Sequence, residues 1–301
     1  MTQPDSRLVN ALTIDVEDYF QVSAFAPQIA RAEWDSRECR VERNVNRILE
    51  LLDSQRTQAT FFTLGWIAER YPQLVRQIVA QGHELASHGY AHERASDQSA
   101  EVFYADIQQA KTILEDLSGQ PVIGYRAPSF SIGSHNLWAF DCLARAGYRY
   151  SSSIYPIHHD HYGMPDAPRF AHQVRPGLQE IPITTLRLFQ RNLPASGGGY
   201  FRLLPYALSR WMLRQVNARD GQSGVFYFHP WEIDTDQPRV AGISLKTRFR
   251  HYVNIGRMEN RLKCLLTDFR WGRMDQIFLC PAAHTAPATP APGGSPALPC
   301  P

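Results

Sequence analysis

The sequence carries almost no net charge. Lys and Arg total 31 and Asp and Glu 29, a balance of +2 over 301 residues. The overall field therefore gives no reason to expect nucleic acid or an anionic membrane as partner. Long apolar runs are also missing: no stretch approaches the roughly 18 residues of a membrane-spanning helix. Residues 1–7 have no apolar segment behind their basic residue, so no signal peptide is expected and a cytoplasmic protein is. The cysteines, Cys39, Cys142, Cys264, Cys280 and Cys300, are odd in number and widely spaced, with no Cys-x-x-Cys. That excludes a disulfide framework and a cysteine-based zinc site, and it suits a reducing compartment. No internal repeat is present. Residues 281–301 are mainly Pro, Ala, Gly, Thr and Ser; with so little to bury, they are expected to form a disordered tail.

What is there is ordinary globular material. At 44% hydrophobic and 20% charged, the chain can bury a full core, as one large α/β barrel or as two domains. Short apolar runs at 8–14, 59–64, 83–87, 122–126, 148–152 and 224–228 read as strands, with a shorter one at 180–183. Between them lie amphipathic helices. The helix at 43–55 places Val45, Ile48, Leu49 and Leu52 on one face. Pro72 opens another, and the longest spans 99–117 with Gly119 fitting its C′ position. Further helices are expected at 136–146, 206–216 and 255–269. Residues 155–179 read as irregular chain, and 196–202 as a flexible glycine loop. Strands alternating with helices argue for a parallel sheet or barrel wrapped by helices.

Four polar clusters stand just after strands: residues 15–18, 88–92, 126–130 and His229. In a barrel those strand ends share one face, the one that carries active sites. His88 and His92 are four apart and would face the same way on a helical turn, presenting two imidazoles to one divalent ion. A third, carboxylate ligand would leave a position open for water. A second carboxylate, held ionised by Arg126, could take a proton from that water. His229 could give a proton to a leaving nitrogen. Together these parts describe metal-assisted amide hydrolysis. His158, His159 and His161 form a second histidine cluster, but no carboxylate lies at motif spacing and a solvated loop is expected there.

The set resembles the five motifs of the polysaccharide deacetylase family, also called the NodB homology domain or carbohydrate esterase family 4. Residues 13–18 resemble the first motif, 87–92 the second, 126–130 the third, 150–155 stand at the fourth, and 228–230 resemble the fifth. Residues 15–20, 196–206, 229–232 and the Arg-rich 246–261 are similar to deacetylases found in exosortase-associated exopolysaccharide gene clusters. The resemblance implies a distorted (β/α) barrel with fewer than eight strands over 8–232, and a helical C-terminal extension over 233–280. It implies removal of N-acetyl groups from N-acetylhexosamine units of an oligo- or polysaccharide, with one divalent metal. Zn²⁺ suits such ligands, as do Co²⁺, Ni²⁺ or Mn²⁺. Carried over residue by residue, Asp15 matches the base, Arg126 the residue that steadies it, His229 the acid, and His88 and His92 metal ligands. Two positions depart from the family pattern. Val16 follows Asp15 where a second aspartate is usual, so the carboxylate ligand is Glu17 or Asp18. Glu17 points the same way as Asp15 if the strand continues. At the fourth motif, where Asp is common, this chain has Ser151. Tyr200 and Phe201 beside Gly197, Gly198 and Gly199 suggest sugar stacking. Hydrolysis of a cyclic imide or ureide, and a binding protein without catalysis, are the alternative readings.

Overall fold

The structure, a computed structural model, describes residues 8–160 and 162–279. The expected tail, residues 1–7, His161, Cys280 and Cys300 lie outside these. The chain opens with β1 (Val9–Val16), α1 (Val41–Ser54), β2 (Thr60–Thr63), α2 (Gly65–Arg70), α3 (Pro72–Ala80) and β3 (Glu84–Ser87). It continues through α4 (Ala100–Ser118), β4 (Gly124–Tyr125), α5 (Ala139–Arg145), β5 (Tyr150–Ser151), β6 (His172–Arg175) and β7 (Leu178–Glu180). Next come β8 (Thr185–Leu188), β9 (Arg191–Pro194), α6 (Gly198–Leu203), α7 (Tyr206–Arg219) and β10 (Val225–Phe228). The C-terminal part holds α8 (Leu245–Tyr252), α9 (Ile255–Asp268) and β11 (Arg270–Gly272).

The main sheet runs β10-β1-β2-β3-β4-β5-β7-β6, with β11 on β1. Every pairing is parallel except β6 with β7. The order does not return on itself, so the sheet is an open, curled (β/α) barrel. Its central strands are buried on both faces, as parallel strands covered by helices are: β2 and β10 have no exposed residue.

Most expected elements stand where the periodicity puts them. Val45, Ile48, Leu49 and Leu52 form the buried face of α1. Ser99 caps α4 and Gly119 ends it at φ 65°, a left-handed position that suits glycine. On α4 Phe103 is fully buried, its ring 5.8 Å from Tyr125 and 5.6 Å from Trp138. Phe103→Ala should therefore cost about 3–5 kcal/mol in denaturant unfolding; a loss under about 1 kcal/mol would contradict this packing.

Three stretches differ from expectation. Residues 155–179 contain β6 and the start of the β6–β7 hairpin. His172, Gln173 and Arg175 lie at the sheet edge and are only partly covered, so no apolar alternation marks the strand. The strand expected at 180–183 falls earlier, at Leu178–Glu180. The glycine stretch forms helix α6, with Gly198, Phe201 and Arg202 buried. It is a packed element rather than a flexible loop.

Candidate active site and metal centre

The strand ends converge as the barrel reading requires. Asp15 and Glu17 stand at the end of β1, His88 follows β3, Arg126 follows β4 and His229 follows β10. All but Arg126 line one cavity of about 530 Å³. Arg126 lies behind it, fully buried. Its Nη1 donates to Asp15 Oδ1 at 2.6 Å and to Thr13 Oγ1 at 2.8 Å. Its Nε and Nη2 donate to the carbonyl and hydroxyl of Ser152 at 3.1 and 3.0 Å. The guanidinium is thus fixed on four sides and holds Asp15 in one orientation.

Glu17, His88 and His92 offer ligand atoms that all lie within 4.8 Å of one another. His88 Nδ1 is 2.8 Å from the Arg126 carbonyl, so it donates there and leaves Nε2 for the cluster. Trp231 Nε1 donates to Glu17 Oε1 at 3.0 Å. Glu17 Oε2 faces His92 Nε2 at 2.6 Å, buried and with no hydrogen-bond partner. An orphaned, buried carboxylate oxygen between two imidazoles fits a divalent cation. Asp18 is turned elsewhere: its side chain accepts from the backbone N–H groups of Tyr19, Arg40 and Val41. It anchors the chain ahead of α1, so of the two carboxylates left open by the sequence only Glu17 faces the histidines.

The charges follow from this crowding. Burial opposes ionisation of Glu17, but His92, His229 and His88 outweigh it and hold the carboxyl below its usual range. Burial pushes His88 down to about 4. Burial also works against a charged His229, yet Glu17, Glu232 and Asp15 together raise it to about 9. His229 Nε2 lies 3.6 Å from Glu17 Oε1 and 3.9 Å from Asp15 Oδ2. Its ring stacks on Trp231 at 5.1 Å and 16°.

The histidine pair does not sit on a helix. Residues 88–92 form a loop, with His92 at φ 55° and Gly89 at φ 77°. Asp106 of α4 accepts from Tyr90 N–H at 3.1 Å, and a Cβ on Gly89 would stand 2.9 Å from its Oδ2. A carboxylate on a neighbouring helix thus does what helical hydrogen bonds were expected to do. Burial raises the Asp106 carboxyl to about 6 from an ordinary 3.8. A carboxyl raised in the folded state binds its proton more tightly folded than unfolded. Its contribution to stability is complete below the unfolded value and is lost as pH rises through about 6. Asp106→Asn should flatten the fall in melting temperature between pH 4 and 7; a change of roughly 3 kcal/mol is the ceiling. An unaltered pH dependence would refute it.

Other residues singled out by the sequence fall in different places. Ser151 does not face the cavity; its hydroxyl is 2.8 Å from that of Ser153. Arg202, Tyr200, Phe249, Arg250 and His251 line the cavity from α6 and α8. Phe201 is buried in the core against Phe226 and Tyr206, so only Tyr200 remains open to a sugar. His159 lines the cavity and stacks on Tyr162 at 3.9 Å, while His158 is exposed.

Fold and site together define a (β/α)-barrel protein with a His–His–carboxylate centre. Residues 33–151 match the family model described as polysaccharide deacetylase, and residues 152–279 match a domain of unknown function, DUF3473. A peptidoglycan-N-acetylglucosamine deacetylase of Bacillus cereus is 34% identical over 103 residues, covering 34% of this chain and 46% of the relative. A chitooligosaccharide deacetylase of Rhizobium leguminosarum bv. trifolii is 27% identical over 112 residues, covering 37% of this chain and 48% of the relative. The chain thus spans about half the length of these curated relatives. A solved structure from Mycobacterium smegmatis, assigned provisionally as a polysaccharide deacetylase, shares the fold at TM-score 0.58 and 21% identity, covering 92% of this chain and 91% of that one. The Puue allantoinase shares it at TM-score 0.57 and 14% identity, with 92% and 90% covered. Residues 33–151 are thus similar to the polysaccharide deacetylase family.

Proposed function

We propose that the protein is a metal-dependent hydrolase that removes N-acetyl groups from N-acetylhexosamine units of a polysaccharide or its precursor, in exopolysaccharide biosynthesis. The observation that carries the reading is one cavity that brings together Asp15 on Arg126, the group Glu17–His88–His92, and His229. Glu17, His88 and His92 would hold the ion, and their chemistry suits Zn²⁺. A divalent ion bound there polarises an acetyl carbonyl and lowers the pKa of a water towards ~7. Asp15, oriented by Arg126, takes the proton of the attacking water. His229 gives its Nε2 proton to the leaving nitrogen as the C–N bond breaks. Hydrolysis of the amide is then balanced: the acyl carbon gains the hydroxyl and the sugar nitrogen leaves as the amine.

The division into a catalytic barrel over 8–232 and an extension over 233–280 is part of the proposal. The position of α8 against the cavity supports it. No helix among the described residues is long and apolar enough to cross a membrane. A cytoplasmic setting is supported by the free thiols of Cys39, Cys142 and Cys264. Similarity of residues 229–232 and 246–261 to the exosortase-associated group supports the exopolysaccharide role.

Elemental analysis of the purified protein, with acetate release from N-acetylglucosamine oligomers, tests the reading. Stoichiometric metal and released acetate are expected. Bound metal with ring opening of a cyclic ureide, and no acetate from any oligomer, would replace it.

A further inference from the structure

We propose that Glu232, locked in place by Arg202, is the positioning carboxylate of His229. It fixes which ring nitrogen of that histidine faces the cavity. The role deepens the proposed reaction and rests on His229 being its acid.

The geometry is closed on every side. His229 begins the short turn Pro230–Ile233, and Glu232 folds back on it. Glu232 Oε1 lies 2.7 Å from His229 Nδ1 and 3.1 Å from the His229 backbone N–H. Its Oε2 accepts from Arg202 Nε at 2.6 Å. Neither residue is open to solvent: Glu232 is 0% and Arg202 1% exposed. The rest of the guanidinium donates to main-chain carbonyls of the C-terminal segment, His251 and Val253 at 2.7 and 2.8 Å and Arg250 at 3.3 Å. A buried carboxylate facing Nδ1 can only accept there, so Nδ1 must carry a proton. Nε2 then faces Asp15 and Glu17. Stacking on Trp231 holds the ring plane.

The glycines of α6 fit this arrangement. A Cβ on Gly198 would lie 2.1 Å from Glu232 Oε1, and one on Gly197, at φ 99°, would lie 2.5 Å from the Tyr227 ring. The glycine motif is therefore the cradle of the Glu232 carboxylate. Ser151, at the fourth motif, is engaged by Ser153 and offers His229 no carboxylate. When Nε2 gives its proton to the leaving nitrogen, Nδ1–H stays on Glu232, so a single ring proton moves.

Glu232→Gln separates this role from a plain buried ion pair. The Gln amide has one acceptor oxygen where the carboxylate has two, so either Arg202 Nε or the two His229 donors, Nδ1–H and the backbone N–H, must meet its NH₂ group. Either way the charged acceptor that holds a proton on Nδ1 is gone. Long-range ¹H–¹⁵N correlation on the ¹⁵N-His full chain reads this directly, with His229 assigned through His229→Asn. In the parent protein His229 should show a protonated, exchange-protected Nδ1, and in Glu232→Gln that protection from exchange should be lost. Deacetylation of triacetylchitotriose should lose ~10²–10⁴-fold in kcat, with KM and metal content within about threefold of the parent. An unprotonated Nδ1 in the parent overturns the proposal without any variant, so a misfolded Glu232→Gln leaves it decidable. Parent-like kcat in Glu232→Gln overturns it as well. Should the parent release no acetate, the proposed reaction fails, and the ring signal still decides the role of Glu232.

Discussion

Asp15→Asn is expected to lose ~10²–10⁴-fold in turnover or more, while the protein keeps its metal. Asn has nearly the same shape as Asp, and Asp15 is outside the group Glu17–His88–His92. The change therefore removes a charge and a proton acceptor without touching the proposed ligands. It also places an amide against Arg126 Nη1, 2.6 Å from the present Oδ1. Arg126 is fully buried and Asp15 is its carboxylate partner. Breaking a buried pair from one side costs about 3–5 kcal/mol, so the melting temperature should drop too. Assays belong well below that temperature, with metal content measured on the same sample. Near-parental turnover by Asp15→Asn would end the mechanism. Full loss of metal would move Asp15 into the ligand set.

His88→Ala and His92→Ala should each abolish stoichiometric metal and activity together. Altering the groups behind a metal ligand already costs ~10–100-fold in affinity, and losing the ligand itself should exceed that. Both substitutions should also cost stability. His88 donates to the Arg126 carbonyl and so ties β3 to β4. His92 faces β1 instead, with its Nε2 2.6 Å from Glu17 Oε2. Removing His92 takes from buried Glu17 the group that does most to keep it charged, so both apo variants should melt below the apo parent. A stoichiometric metal in either variant, by elemental analysis after dialysis, would show that the centre is wrongly drawn.

The sequence made much of this legible because the relevant signals are local. Buried strands ending in Asp15, His88, Arg126 and His229 are short apolar runs followed by polar residues. Helix α4 announces itself by Ser99, by Phe103 and Ile107 on one face, and by Gly119. What stayed hidden depends on distant contacts. The choice of Glu17 over Asp18 follows from backbone N–H groups at residues 40 and 41 capturing the Asp18 carboxylate. Loop 88–92 is shaped by Asp106, not by helical spacing. The glycines of α6 read as flexibility because their reason, the Glu232 carboxylate, lies far along the chain. The β8–β9 hairpin went unseen because its strands alternate imperfectly and half of its residues are open to solvent.

The parallel pairing of β11 with β1 bears on the order of assembly. β1 carries Asp15 and precedes both β10 and β11 in the chain. Only β2 of its three neighbours follows soon after. Val9, Asn10 and Ala11 pair with Arg270, Trp271 and Gly272, and Ala11–Ile14 pair with Val225–Phe228. A nascent chain therefore holds this edge, with Leu12, Ile14 and Val16 among its residues, unpaired until β10 and β11 are made. Such an edge invites association with other chains. Pairings this distant in sequence also slow folding. The strand that bears the proposed base thus gains two of its neighbours, β10 and β11, only late in the chain.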